Sequence, residues 1–427
     1  MNSRIQIFLS KILIILLPLH YFLFVILLKD YEPLKYIKDI LIIILFFLIL
    51  FNKRDNKFGK TGILMLIFGM IIAVYIIKSD YFHLAIYNAR IYIEPFLAYF
   101  IFKNLKMKKC ILESIVRILI RTCIIVCIYG IFQAFVLGDD FLIKMGYPLV
   151  NGELSYVYRI SGLGNFQRTT STFVYPNTFG FYLGLFVILF VTNKAILVKT
   201  RRYYYVEIIL IFITLVLTFS RSSWVGIFAV IMFSIFYKKR GLKLSSLVVI
   251  LLSINIIVIS YVLFKDYGIY AKITLYIQRT LSLQDTSILG HLASFETSIE
   301  LVRDNIWGTG LGINGPKALR YLKNPILTES SYFLMIFETG IIGFFSYYYI
   351  YIHILISSLQ EVKNKVLVEL RTINMNKAYL TIFSLITFLF LPNIQDMEII
   401  MYYFLLVGLF SNKNVRYIYK CEKIEKR

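Results

Sequence analysis

Hydrophobic positions in this chain arrive in long uninterrupted runs, not in the alternation of a half-buried strand. The runs cover approximately 5–28, 38–52, 61–78, 88–103, 113–137, 177–193, 203–219, 222–238, 244–264, 331–358, 378–392 and 396–412. Most reach the roughly 17–25 residues that a helix needs to cross ~30 Å of hydrocarbon. The second and the last two are short, and their ends are soft. Inside a bilayer only helices or closed barrels satisfy every backbone N–H and C=O, and barrel strands alternate where these runs do not. The pattern predicts an all-α, polytopic transmembrane bundle of about 12 helices, with residues 1–427 forming a single integral membrane domain. The first run has no small-residue cleavage site after it, so it is expected to be retained as a helix.

Composition agrees: 59% of residues are hydrophobic, against about 45–50% in soluble domains. The mean hydropathy is +0.74. The 46 Lys and Arg against 24 Asp and Glu give a formal charge of +22. In a soluble protein that excess would suggest nucleic acid. Here the basic residues follow the topology. Connections 52–60, 103–112, 193–202, 238–243 and 359–377 and the tail after Ser411 are rich in Lys and Arg. The alternate connections 79–87 and 392–396 contain none, and 29–38 offsets its lysines with Asp30 and Glu32. Positive charge collects on the cytoplasmic side of membrane proteins. The expectation is therefore a multi-pass protein with both termini cytoplasmic and no nucleic-acid partner. Cys110, Cys123, Cys127 and Cys421 lack the spacing of a disulfide framework and are expected to be free thiols.

Two connections on the opposite, outer side are long: 138–176 and 265–330. Long loops in compact proteins are usually functional or disordered. The second has the periodicity of folded structure. Tyr267, Tyr270, Ile273, Ile277 and Leu281 fall at helical spacing, and Leu292, Phe295, Ile299, Val302 and Ile306 form one stripe. Glu296, Glu300, Arg303 and Asp304 occupy the opposite face. Such a helix suits a membrane surface or the cap of a cavity, and equally packing on the bundle. Gly310-Leu311-Gly312-Ile313-Asn314-Gly315 matches G-x-G-x-x-G, but lacks the strand–helix context of a dinucleotide site. A flexible turn is the expected role of that glycine cluster.

Ionisable residues at membrane depth or its outer edge are costly and usually have a task. Arg90 and Glu94 stand one turn apart and could pair. Arg159 and Arg168 lie in the first long loop, Arg221 in the turn Ser220-Arg221-Ser222-Ser223-Trp224, and Arg279 and Arg303 in the second long loop. Guanidinium groups gathered on one side of a membrane suit a phosphate-bearing ligand. Snorkelling or a helix-end ion pair is the alternative for each taken singly. The candidate bases are Glu329, in Glu329-Ser330-Ser331-Tyr332, and His291, which equally suits a surface helix start. Glu338, near Gly340 and Gly343, is expected to serve packing or an internal hydrogen bond.

These pieces together resemble the O-antigen ligase/polymerase superfamily, the Wzy-type polysaccharide polymerases and their WaaL-like ligase relatives. The likeness lies in Arg168-x4-Phe173-x2-Pro176-Asn177 and in Thr218-Phe219-Ser220-Arg221-Ser222-Ser223 opening a span. It continues in Trp307-Gly308-Thr309-Gly310-Leu311-Gly312, Glu329-Ser330-Ser331-Tyr332-Phe333-Leu334 and Glu338-Thr339-Gly340-Ile341-Ile342-Gly343. It is clearest over 165–350. The resemblance implies a GT-C-like fold and a metal-independent glycosyltransferase with no cofactor in the bacterial cytoplasmic membrane. The implied substrate is an undecaprenyl-diphosphate-linked oligosaccharide, with membrane lipid, a flippase and a chain-length regulator as partners. Carried onto this chain, it implies that Arg168, Arg221 and Arg279 hold the donor diphosphate, with Arg90 and Arg303 as further candidates. Ligase relatives typically carry His-Asn where this chain has Glu329-Ser330, which tilts the expectation to a repeat-unit polymerase for O-antigen, capsule or exopolysaccharide. A ligase transferring glycan to a lipid or protein acceptor, and a lipid-linked oligosaccharide flippase or transporter, are the alternatives.

Overall fold

A computed structural model describes residues 2–51, 58–150, 153–159, 167–193, 201–238, 286–322, 325–363 and 368–416. They form helices α1 (Asn2–His20), α2 (Ile37–Leu50), α3 (Gly59–Ile77), α4 (Phe82–Asn104), α5 (Lys109–Phe132), α6 (Gly138–Met145) and α7 (Pro176–Thr192). These are followed by α8 (Tyr204–Leu217), α9 (Arg221–Lys238), α10 (Thr286–Asp304), α11 (Ser331–Lys363), α12 (Val368–Thr387) and α13 (Met397–Ser411). Every predicted span within the described residues is helical; the span at 244–264 lies outside them. The protein is an all-α helical membrane protein, as its hydropathy predicts. The segments Ser3–Leu27, Gly59–Ile77, Lys109–Met145 and Ser331–Lys363 are long and apolar enough to cross a membrane. Four shorter apolar helices, α7, α8, α9 and α13, accompany them. Ends differ from the expectation where a helix continues through polar positions. The α12 helix begins at Val368, well before the apolar run at 378, because hydropathy marks where a helix turns greasy, not where it starts.

The chain divides into two compact units. One comprises Met1–Leu17, Tyr36–Ile118 and His291–Arg427, the other Pro18–Lys35 and Leu119–Gly290. In the first unit α13 lies at the centre. Its residues from Ile399 to Leu409 are buried all round, the signature of a helix surrounded by protein. It packs most extensively on α4, and α11 packs on α12 and α3. Aromatic rings fill the layer between them. Tyr351 stacks on Tyr403 with centroids 5.2 Å apart, and Phe96 meets Phe404 edge-on at 5.1 Å. Such pairs contribute about 0.5–1.5 kcal/mol each beyond their buried area.

In the second unit α7 is buried against α8 and α9. The first long loop is folded. The α6 helix, a two-stranded ribbon (β1, Leu149–Val150; β2, Glu153–Leu154) and a turn at Tyr156–Tyr158 enclose Leu142, Tyr147, Leu154 and Tyr158, with Ile26 beneath.

The second long loop begins with residues outside the described set, so the predicted helical stripe from Tyr267 to Leu281 lies outside it. The stripe that follows is a helix, α10. Ser298 is its buried contact, donating to Thr328 Oγ1 at 3.1 Å, while Phe295 and Ile299 are 43% and 47% exposed. Ile306 is exposed as well, so these three apolar side chains are not covered by the described residues. Phe295 still touches Phe333 edge-on, with centroids 4.9 Å apart.

Candidate functional site

The glycine turn after α10 is docked into a break in α11. At Gly340 the backbone leaves the helix, with φ 62° and ψ −176°. That break frees the Phe337 carbonyl and the Ile341 N–H, which a continuous helix would pair. Both are satisfied by the turn. Ile341 N donates to Ile306 O at 2.9 Å, and Thr309 N donates to Phe337 O at 2.6 Å. Thr309 Oγ1 adds a second bond to Phe337 O at 3.0 Å, and Tyr75 OH donates to Trp307 O at 2.7 Å. A Cβ on Gly308 would stand 2.5 Å from Gly340 N, and one on Gly340 would stand 2.6 Å from Trp307 O. The expected flexible turn is therefore pinned along its length.

Glu338, one residue from the start of this break, is buried. Its carboxylate accepts bonds from Tyr92 OH and from Gly312 N, the latter at 3.2 Å, and contacts the Gln395 amide. Gln395 Nε2 donates in turn to Asn314 O at 2.9 Å. The expected internal hydrogen-bonding role of Glu338 is what the structure shows. It ties the turn to α4 and to the segment before α13.

A charged network stands beside this junction in the same unit. Lys38, 2% exposed, lies 2.6 Å from Asp39 and 3.9 Å from Glu398. Asp39 also pairs with Arg90, whose guanidinium sits 3.9 Å over the Tyr87 ring. Lys317 is 3.4 Å from Asp396. Buried charges survive only when paired. Arg90 thus takes Asp39 from α2 as its ion-pair partner, not the helical neighbour Glu94. Lys38 and Asp39 are not among the residues that the sequence singles out. Their signal was two charges opening an otherwise apolar run.

In the second unit Arg168 is a clamp. Nε donates to Thr218 O at 2.9 Å, Nη1 to Val157 O at 3.0 Å, and Nη2 to Asn177 Oδ1 at 2.6 Å and Phe219 O at 3.3 Å. It therefore joins the first long loop, the start of α7 and the turn preceding Arg221. Among the described residues, Ser171 (φ 54°) and Phe219 (φ 49°) are the non-glycine positions with left-handed backbone. Both sit in this assembly. Ser171 is held there by its N–H on Gln133 Oε1 and its hydroxyl on Val126 O, each at 2.7 Å. Such conformations cost of order 1–3 kcal/mol and persist where surroundings over-determine them, often at working sites. Arg221 is the first residue of α9, half-buried, where the helix N-terminus adds its own attraction for anions.

The remaining candidates are placed as follows. Glu329 is exposed, between buried Thr328 and Ser330, two residues before α11. Its neighbours are fixed: Ser330 N donates to Thr328 Oγ1 at 3.3 Å and Ser330 Oγ to Phe388 O at 3.2 Å. Arg303 is exposed in the last turn of α10. The backbone of His291 belongs to α10, and its side chain is outside the described set, as is all of Arg279. Arg159 pairs with Asp139 at 2.8 Å. The structure brings Arg168 to the turn that carries Arg221, and gathers Arg90 with Lys38 and Asp39.

Residues 207–348 match the family model described as O-antigen ligase (Wzy_C). The match supports membership of the O-antigen ligase/polymerase superfamily. No curated protein matches the chain. The family is of glycosyltransferase type and works in membranes on lipid-linked oligosaccharides. Its matched segment in this chain includes Arg221, Arg279, His291, Arg303, Glu329, Glu338 and the whole glycine turn, and leaves Arg90 and Arg168 outside.

Proposed function

We propose that this O-antigen ligase-family protein is a polysaccharide repeat-unit polymerase of the bacterial cytoplasmic membrane, with both termini cytoplasmic. It transfers glycan from an undecaprenyl-diphosphate-linked donor to a lipid-linked acceptor at the outer face. In the transfer, the bond from the sugar's anomeric carbon to the diphosphate breaks and a bond to the acceptor hydroxyl oxygen forms. Glu329 takes the hydroxyl proton as general base, with His291 as the second candidate. The departing diphosphate keeps the electron pair. Arg221 and Arg279 stabilise its charge, as fixed cations do for a developing anion in a water-poor site. Arg303 extends that cationic surface. Arg168 and Arg90 contribute through placement, since Arg168 donates to backbone carbonyls and Arg90 is engaged by Asp39. A flippase would supply the donor, and a chain-length regulator would act on the product.

The observation that carries this reading is the family match over the segment that holds both Arg221 and Glu329. The ligase alternative has the family's own description in its favour. Against it stands Glu329-Ser330, where ligase relatives typically carry His-Asn. Replacing Arg221 or Arg279 with Ala and measuring polymer length in cells tests the assignment. Loss of long polymer is expected; long polymer at normal amount from well-expressed variants means the assignment is wrong.

A further inference from the structure

The first unit holds a cavity of about 920 Å³ at the end of the bundle where the basic connections gather. Arg221, Glu329 and the glycine turn are not among its lining residues. Among the described residues its walls carry seven cationic side chains and a single carboxylate, Glu361. The cations converge from separate elements. Lys60 comes from the first turn of α3, Lys103 from the last turn of α4, and Lys106 and Lys108 from the turn after it. Lys377 comes from α12, and Lys413 and Arg416 follow α13.

Basic connections on their own need no ligand, because they anchor topology while reaching into water. Three observations separate this cavity from that role. Lys377 is only 5% exposed, so its charge is held inside the protein and not in solvent. The one carboxylate among the described lining residues is already consumed: Glu361 pairs with Lys377 at 3.2 Å and with Arg416. Arg416 Nε is buried with no hydrogen-bond partner among the described residues, and a buried donor left unmade is costly. Elsewhere the cavity is fixed in shape. Lys103 Nζ donates to Phe58 O at 2.5 Å, and Asn412 Nδ2 donates to Phe102 O and Leu105 O, each at 2.8 Å. Part of the wall is apolar, from Ile7, Ile49 and Ile111.

We infer that this cavity binds a phosphate-bearing anion, either an anionic lipid headgroup or a soluble phosphate compound. Convergent Lys and Arg at a site of this size are the recognition chemistry for phosphate oxygens. The apolar wall beside them suits the glycerol and first methylenes of a lipid. The inference does not depend on the proposed transfer reaction, and its test reads binding and not turnover.

The full chain, purified in neutral detergent, would be titrated separately with inorganic diphosphate and with phosphatidylglycerol. Thermal unfolding and intact-complex mass would be followed in each arm. Saturable binding of one equivalent is expected in at least one arm. Saturation by diphosphate alone identifies a soluble ligand, and saturation by phosphatidylglycerol alone identifies a headgroup. The exposed pair Lys106→Glu with Lys413→Glu should weaken binding at least tenfold, while Lys29→Glu with Lys144→Glu, outside the cavity, should leave it unchanged. Should the reversed pair fail to fold, Lys106→Gln with Lys413→Gln should still weaken binding severalfold. Absence of saturation in both arms overturns the inference. So does parental affinity in a folded cavity variant.

Discussion

Gly340→Ala tests the docking of the glycine turn into α11. The native backbone there, φ 62° and ψ −176°, belongs almost exclusively to glycine, and forcing an L side chain into such a region costs of order 1–3 kcal/mol. The new Cβ would also stand 2.6 Å from both Trp307 C and Trp307 O, so the turn must move away. Moving it breaks Thr309 N to Phe337 O and Ile341 N to Ile306 O, each worth about 1 kcal/mol net. Straightening α11 would recover one intrahelical bond, and Ala over Gly in a helix returns about 1 kcal/mol. The balance is a local destabilisation of about 1–3 kcal/mol. It belongs to the 306–312 turn and not to the bundle. Hydrogen exchange of the detergent-solubilised protein reads it directly, because amide protection reports local opening. At 1.36 kcal/mol per factor of ten, the Thr309 amide should exchange roughly 5–150-fold faster, while amides in α4 and α13 hold. Gly308→Ala, striking the same junction from the other side, should give the same pattern. Parental protection at Thr309 in both variants would refute the account of the break.

Other expected outcomes concern the charged and packed elements. Arg168→Lys removes a fork whose donors reach Thr218 O, Val157 O, Asn177 Oδ1 and Phe219 O. A single ammonium cannot span those acceptors, so stability should fall by about 2–3 kcal/mol, measured as thermal unfolding. Asp39→Asn leaves buried Lys38 and the Arg90 guanidinium without their shared carboxylate. A loss of about 3–5 kcal/mol is expected, and Lys38→Met with Asp39→Leu should recover part of it. Gly408→Ala places a Cβ 2.5 Å from Tyr99 O at the α4–α13 contact. Overpacking of about 1–3 kcal/mol should follow, visible as a lower unfolding temperature with no change in expression.

The bundle was legible because membrane spans announce themselves through uninterrupted apolar runs, and each described run is a helix. Their ends were less so, as α12 shows. The break at Gly340 could not be read from its own surroundings. Gly340-Ile341-Ile342-Gly343 carries no proline, and the partners that hold it open come from Ile306 and Thr309. The clamp around Arg168 was hidden for a related reason: three of its four acceptors are backbone carbonyls, which have no residue signature. For Arg90, spacing alone favoured Glu94 as partner, whereas tertiary packing brings Asp39 to it. The amphipathic pattern of α10 located the helix without deciding which face meets protein. Ser298, a polar residue inside the pattern, supplies the buried contact.

This chain, whose residues 207–348 match the O-antigen ligase family model, is proposed to build glycosidic bonds between lipid-linked repeats. Purified protein in sealed vesicles, given undecaprenyl-diphosphate-linked repeats and no ion gradient, tests it most directly. Lipid-linked products of two and more repeats with release of undecaprenyl diphosphate are expected, and loss of both in Arg221→Ala and Glu329→Gln. Repeats that stay one unit long and are only moved across the membrane would contradict it.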